Sequence, residues 1–214
     1  YDTFPVYRFL LKYYTRNAHL VVVNEPCRAA ILRVWFDLKR TPSVLPNKPL
    51  DHPRGRCISI TCPFARGIIN GLKDKKIVLY QGIISKERDI TRVVEALAMM
   101  GREYQLLVMG CDHDHSMNKY RRINPNITHI PYIAPPLHME VTSHAYIAVA
   151  TYEYNALNTI FCAPNKIWEY SGFGIPTLCR TIPGLVFSVG QAHAGVCVNF
   201  DDPAEIVRGL REIE

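Results

Sequence analysis

The chain has 214 residues, 48% apolar and 21% charged, an ordinary globular balance that excludes intrinsic disorder. No apolar run approaches eighteen residues, so the sequence offers no helical membrane span. The net charge of +6 sits wholly in residues 1–56, where ten Lys/Arg face four Asp/Glu; residues 57–214 hold fifteen of each. A basic front segment suits anionic lipid or another polyanion, and equally a solvated helix face. Its charge is not interleaved with aromatics in a nucleic-acid module, so no nucleic-acid partner is expected. Seven scattered cysteines, an odd number, fit reduced thiols in a cytoplasmic protein better than a disulfide framework.

Taken in chain order, residues 3–16 read as a helix, so that Tyr1 starts close to one and the chain is expected to be a piece of a longer protein. "AHLVVV" reads as a strand, "EPCRAAILRVWF" as a helix with Pro at its start, and "PSVLPNKP" as extended chain. Residues 51–75 lack a clear period and read as a linker with room for one short helix. From residue 76 onward strand and helix signals alternate. "KIVLYQG" (76–82), "YQLLVMG" (104–110), "ITHIPYI" (127–133), "YIAVATY" (146–152), "PTLCRTI" (176–182) and "GVCVNF" (195–200) are the strands. "DITRVVEALAMM", "SMNKYRRI", "PPLHMEVTSHA", residues 166–173, "LVFSVGQAHA" and "DDPAEIVRGLREIE" are the helices. Six strands alternating with helices predict an α/β, Rossmann-like open parallel sheet with helices on both faces. Ligands in such sheets bind beyond the carboxyl ends of the strands.

Three stretches carry chemistry. In "APNKIWEYSGFGIP" (163–176) the free N–H groups and dipole at a helix start favour an anion, with Asn165 as cap and Lys166 as a full positive charge. Glu169, one turn on, shares the Lys166 face and can accept bonds from vicinal hydroxyls; the same spacing also fits a plain surface ion pair. "YQGIISKERDI" (80–90) is a strand closing on Gly82, a polar loop with Ser85, and the charges of Lys86 and Arg88, which fits a phosphate site or an ordinary strand-to-helix turn. "HIPYIAPPL" presents the backbone of Pro131, Tyr132 and Ile133, which can bond the edge of a nucleobase. The Gly-rich nucleotide fingerprints are absent. "CDHDH" (111–115) packs five metal-ligand types together, but adjacent loop residues cannot all point inward, and a polar loop is expected.

In this order these stretches resemble the group 1 glycosyltransferases (family four, GT-B fold), in particular the bacterial branch that builds capsule, O-antigen and other surface polysaccharides. The resemblance covers about residues 76–214 and, more weakly, 18–50. It implies that residues 76–214 form the nucleotide-sugar-binding domain, 51–75 a linker, and 1–50 the remnant of the N-terminal acceptor domain with its crossover. It implies that Glu169 binds the donor ribose, that Arg88 neutralises the diphosphate, and that Gly82 opens the phosphate loop. The 131–133 backbone would read the base, with Asn165 and Lys166 facing the diphosphate or the sugar. The donor would be a UDP-, GDP- or TDP-linked sugar and the acceptor a saccharide or lipid-linked saccharide, with neither cofactor nor metal. The protein would be cytoplasmic, with peripheral contact at the inner face of the membrane. Two departures stand out: Phe161 occupies the place of the family's first carboxylate, eight before Glu169, and Ile83 stands where many members have Arg. Glu153 or Asn158 are the candidates to replace the lost sugar contact. A GT-B-type sugar-nucleotide 2-epimerase and a non-catalytic donor-like scaffold are the competing readings.

Overall fold

The structure, a computed structural model, describes residues 5–214. The opening helix is α1 (Pro5–Asn17), so the part of the expected helix before residue 5 lies outside the described residues. Next come β1 (Val22–Val23), α2 (Pro26–Trp35) and β2 (Ser43–Val44), with β1 and β2 pairing in parallel. Glu25 caps α2: its carboxylate accepts from the N–H of Cys27 at 2.9 Å and of Arg28 at 2.8 Å, while Pro26 fills the first helical position, where no N–H is needed.

Then follow α3 (Pro63–Asn70), β3 (Lys76–Gln81), α4 (Thr91–Met99), β4 (Tyr104–Met109), α5 (Ser116–Ile123), β5 (Ile127–Ile130), α6 (His138–Thr142) and β6 (Ile147–Ala150). The chain ends with α7 (Leu157–Ile160), α8 (Asn165–Gly172), β7 (Thr177–Arg180), α9 (Pro183–Leu185), β8 (Gly195–Val198) and α10 (Pro203–Ile213). The six predicted strands form one all-parallel sheet in the order β5-β4-β3-β6-β7-β8. The sheet is Rossmann-like, as the alternation predicted.

Alternation along each strand sorts the core onto two faces. Val78, Tyr80, Leu106, Val108, Ile147 and Val149 face α4, α5 and α10, meeting Val93, Val94, Tyr120, Ile206 and Leu210. Ile77, Leu79, Leu107, Met109 and Ala148 face α3, α6 and α8, meeting Ala65, Ile69, Met139, Val141 and Tyr170. The stretch 51–75 therefore does more than connect: α3 and Ile60 belong to the sheet's own core. The strand expected over 127–133 stops at Ile130 because Pro131 has no N–H for the ladder. The helix expected over 135–145 narrows to α6, and that over 185–194 becomes α9 followed by a π-helical turn, Val186–Gly190.

The loops leaving β3, β4 and β5 are zipped together by backbone bonds. The Gly82 N–H donates to Met109 at 2.9 Å, Gly110 to Ile130 at 3.0 Å and Ile84 to Cys111 at 2.8 Å. This closeness requires glycine at 110, where φ is +150° and an added methyl would overlap the Gly82 carbonyl. Gly110→Ala is expected to lose about 3 kcal/mol of stability, checked by denaturant titration. The acidic "CDHDH" loop serves the same packing. Asp112 accepts from the N–H groups of Ser116 and Met117 at the start of α5, and Asp114 accepts from the Lys86 N–H at 2.7 Å. Among the described residues no three His, Cys, Asp or Glu are grouped as metal ligands.

Candidate functional site

Strand order reverses between β3 and β6: the chain winds outward through β4 and β5, then returns to the other side of β3. A crevice opens at the carboxyl ends of such a pair because the following loops diverge. Here it is a cavity of about 540 Å³ lined by Glu87, Arg88 and Asp89 after β3, by residues between Thr151 and Asn165 after β6, and by Asn24, Arg28 and Asn47 from the front segment.

The start of α8 opens into this crevice. Pro164, not Asn165, is the N-cap, and no side chain caps the helix. Asn165 is instead the first helical residue, since Pro164 already holds the extended conformation a cap requires; its expected capping role is corrected. The backbone N–H groups of Asn165 and Lys166 find no acceptor among the described residues. They remain available to an anion.

Lys166 is half-buried. Its ammonium lies 4.8 Å from the centre of the Tyr80 ring and 5.3 Å from that of Tyr152, against the backbone of Gly82. The two ring faces attract the cation and fix its place. Burial, with the nearby Arg88 charge second, lowers its pKa to about 8. The Lys166–Glu169 ion pair that spacing allowed does not form. Glu169, 8% exposed, turns to the end of β3 instead, accepting at Oε2 from Gln81 Nε2 at 2.6 Å and from His138 Nε2 at 3.2 Å. Burial works to raise the carboxyl pKa, but the His138 and Gln81 bonds and the Lys166 charge together hold it below the usual carboxylate range.

Of the expected residues, Arg88 and Asn165 line the cavity itself, while Gly82, Lys166 and Glu169 gather between the end of β3 and α8 without lining it. Ser85 and Lys86 follow Gly82 but do not line the cavity; Lys86 is exposed. Pro131, Tyr132 and Ile133 lie at the end of β5, two strands from β3, with the Tyr132 side chain exposed and Ile133 packed against the core on the α3, α6 and α8 face. At the position of the expected first carboxylate, the Phe161 carbonyl accepts from Arg28 Nε at 2.6 Å, and Arg28 also bonds Asn158. His52 Nε2, from the stretch read as a linker, lies 2.9 Å from the Glu169 carbonyl. Sequence reasoning missed Gln81, His138 and Thr142 around Glu169, because residues 27 to 88 positions away in the chain leave no spacing signal. The Tyr80 of "YQG" was visible, but not as a wall for Lys166.

Three solved structures share this fold. Sucrose-phosphate synthase from Thermosynechococcus elongatus superposes with a TM-score of 0.68 at 22% identity, over 97% of this chain and 52% of that one. Anabaena HepE in complex with UDP and glucose gives 0.67 at 12% identity, over 97% and 57%. A glycosyltransferase from Rickettsia africae gives 0.71 at 12%, over 100% and 57%. The chain has the GT-B-type fold. No protein-family model and no curated protein matches its sequence. It spans little more than half the length of each of these GT-B structures.

Proposed function

We propose that this chain is the donor-binding half of a glycosyltransferase, which moves a sugar from a nucleoside diphosphate sugar to a saccharide or lipid-linked acceptor in surface-polysaccharide synthesis. The observation that carries this is the Lys166 ammonium, held between two tyrosine rings against Gly82, beside Arg88 and at the open start of α8. Likeness to HepE, described in complexes with UDP and with UDP-glucose, supports the donor class. Likeness to the lipopolysaccharide outer core galactosyltransferase WaaB, at 14% identity, supports the pathway.

The leaving group of such a transfer is a diphosphate, so the barrier falls when developing negative charge meets preorganised positive charge. Arg88, Lys166 and the free N–H groups of α8 supply it, and the reading calls for no metal ion. Glu169 takes the ribose hydroxyls and the 131–133 backbone the base, with Gly82 admitting the phosphates; Ser85 and Lys86 flank the loop. Transfer proceeds with retention, and the chain alone binds donor while transferring poorly, because the acceptor-binding residues belong to another part of the protein. The protein works in the cytoplasm. There, α1, with Arg8, Lys12 and Arg16 beside the exposed Phe9, Tyr13 and Tyr14, suits a peripheral contact with anionic lipid. No described helix is long and apolar enough to cross a membrane.

Calorimetric titration with UDP-, GDP- and TDP-sugars tests the reading; one class is expected to bind, with affinity unchanged by EDTA. A pH series sharpens it. Lys166 binds a diphosphate as the cation, so affinity is level below pH 8 and weakens about tenfold per unit above it. Absence of binding to every donor would leave the non-catalytic scaffold.

A further inference from the structure

We infer that His138, Gln81 and Thr142 are positioning residues that fix the Glu169 carboxylate so that one of its oxygens stays free for the two ribose hydroxyls of the donor. This rests on the donor-site reading above and adds three residues to it.

Two partners of Glu169 converge on a single oxygen, Oε2: the Gln81 amide donates to it at 2.6 Å and the His138 Nε2 lies 3.2 Å from it. No described residue donates to Oε1, and it is not among the buried atoms left without a partner. A carboxylate bonded twice through one oxygen has a fixed plane and keeps the lone pairs of the other for a ligand. Each donor is itself oriented. Thr142 Oγ1 lies 2.7 Å from Gln81 Oε1, which occupies the oxygen end of that amide and turns its NH₂ toward Glu169. The same hydroxyl lies 3.0 Å from the His138 carbonyl, linking it to the start of α6. Because a carboxylate only accepts, His138 must carry its proton on Nε2. Its Nδ1 is then buried without a partner. An imidazole placed this way is a poor choice for stability, since an apolar side chain of similar size would leave no orphan nitrogen. Its contribution is the bond to Glu169.

The experiment compares UDP or GDP, whichever the chain binds more tightly, with the 2′-deoxy form of the same nucleotide, in wild type, His138→Leu and His138→Gln. Wild type is expected to prefer the ribonucleotide. In His138→Leu its affinity drops about tenfold and the preference over the deoxy form shrinks toward one. His138→Gln keeps an amide donor in place of Nε2 and is expected to restore affinity and preference to within about threefold. A His138→Leu protein that keeps the preference, a His138→Gln protein as impaired as His138→Leu, or a wild type indifferent to the 2′-hydroxyl would each overturn the inference and leave the donor-site reading standing. A wild type that binds no nucleotide sinks the reading itself.

Discussion

Glu169→Gln is expected to weaken donor binding by about 10- to 100-fold while the protein stays folded, because an ionised acceptor of hydroxyl hydrogen bonds becomes a neutral amide of the same shape. Glutamine at 169 still offers one oxygen to Gln81 and His138, so the buried network survives. Alanine is the poorer test. It strands the His138 Nε2–H, in a residue 8% exposed, and the half-buried Gln81 NH₂, at up to about 1–3 kcal/mol for a buried group left unpaired. Lost binding would then be mixed with lost stability. The charge of Glu169 is secure at neutral pH, since His138, Gln81 and Lys166 together keep its carboxyl below the ordinary range against the pull of burial. The acid limb of donor affinity should therefore fall below the usual carboxylate range. Calorimetry across pH 3–7, wild type against Glu169→Gln, measures both effects; equal affinities would remove Glu169 from the site.

Lys166→Met is expected to cut nucleoside diphosphate affinity by about 100-fold and to leave nucleoside binding nearly unchanged. Methionine fits between the Tyr80 and Tyr152 rings and keeps the apolar contact, so the loss isolates the charge. Stability should move the other way. Burial and Arg88 disfavour the lysine cation in the folded chain, bringing its pKa to about 8. Folding in the wild type therefore carries the penalty of the charged form below pH 8, and this is relieved as pH rises from about 8 toward the ordinary lysine value. Lys166→Met should be the more stable protein at pH 6–7, with the advantage vanishing near pH 10. Function lost together with stability gained marks a residue kept for its ligand. Unchanged diphosphate affinity would detach Lys166 from the phosphates.

Much of this molecule is legible along the chain because its causes are local. Strands such as "KIVLYQG" and "YQLLVMG" are continuous apolar runs, which only a sheet covered on both faces can bury, and the helices between them show their period and their caps. Where local signals conflict, the boundaries moved: Pro131 ended a strand that the hydrophobic pattern continued, and Pro164 took the cap assigned to Asn165. The stretch 51–75 looked structureless because its few apolar residues are spread thinly, yet Ile60, Ala65 and Ile69 find the sheet. The positive side of the site was readable too, since Lys166, Gly82 and Arg88 stand in motifs tied to a strand end and a helix start.

Partnership was not readable. The sequence by itself determined an open parallel sheet and the presence, near the carboxyl ends of its strands, of a lysine, an arginine and a glutamate, because periodicity and residue chemistry are properties of short stretches. Tertiary structure alone decided that Lys166 goes to two tyrosines and not to Glu169, and that Glu169 goes to His138 and Gln81. It also decided that Arg28 reaches across to the loop holding Phe161. The physical reason is that strand order places β6 beside β3, so side chains far apart in the chain compete for the same few ångströms at the crevice, and burial and charge there choose among pairings that sequence spacing leaves equal.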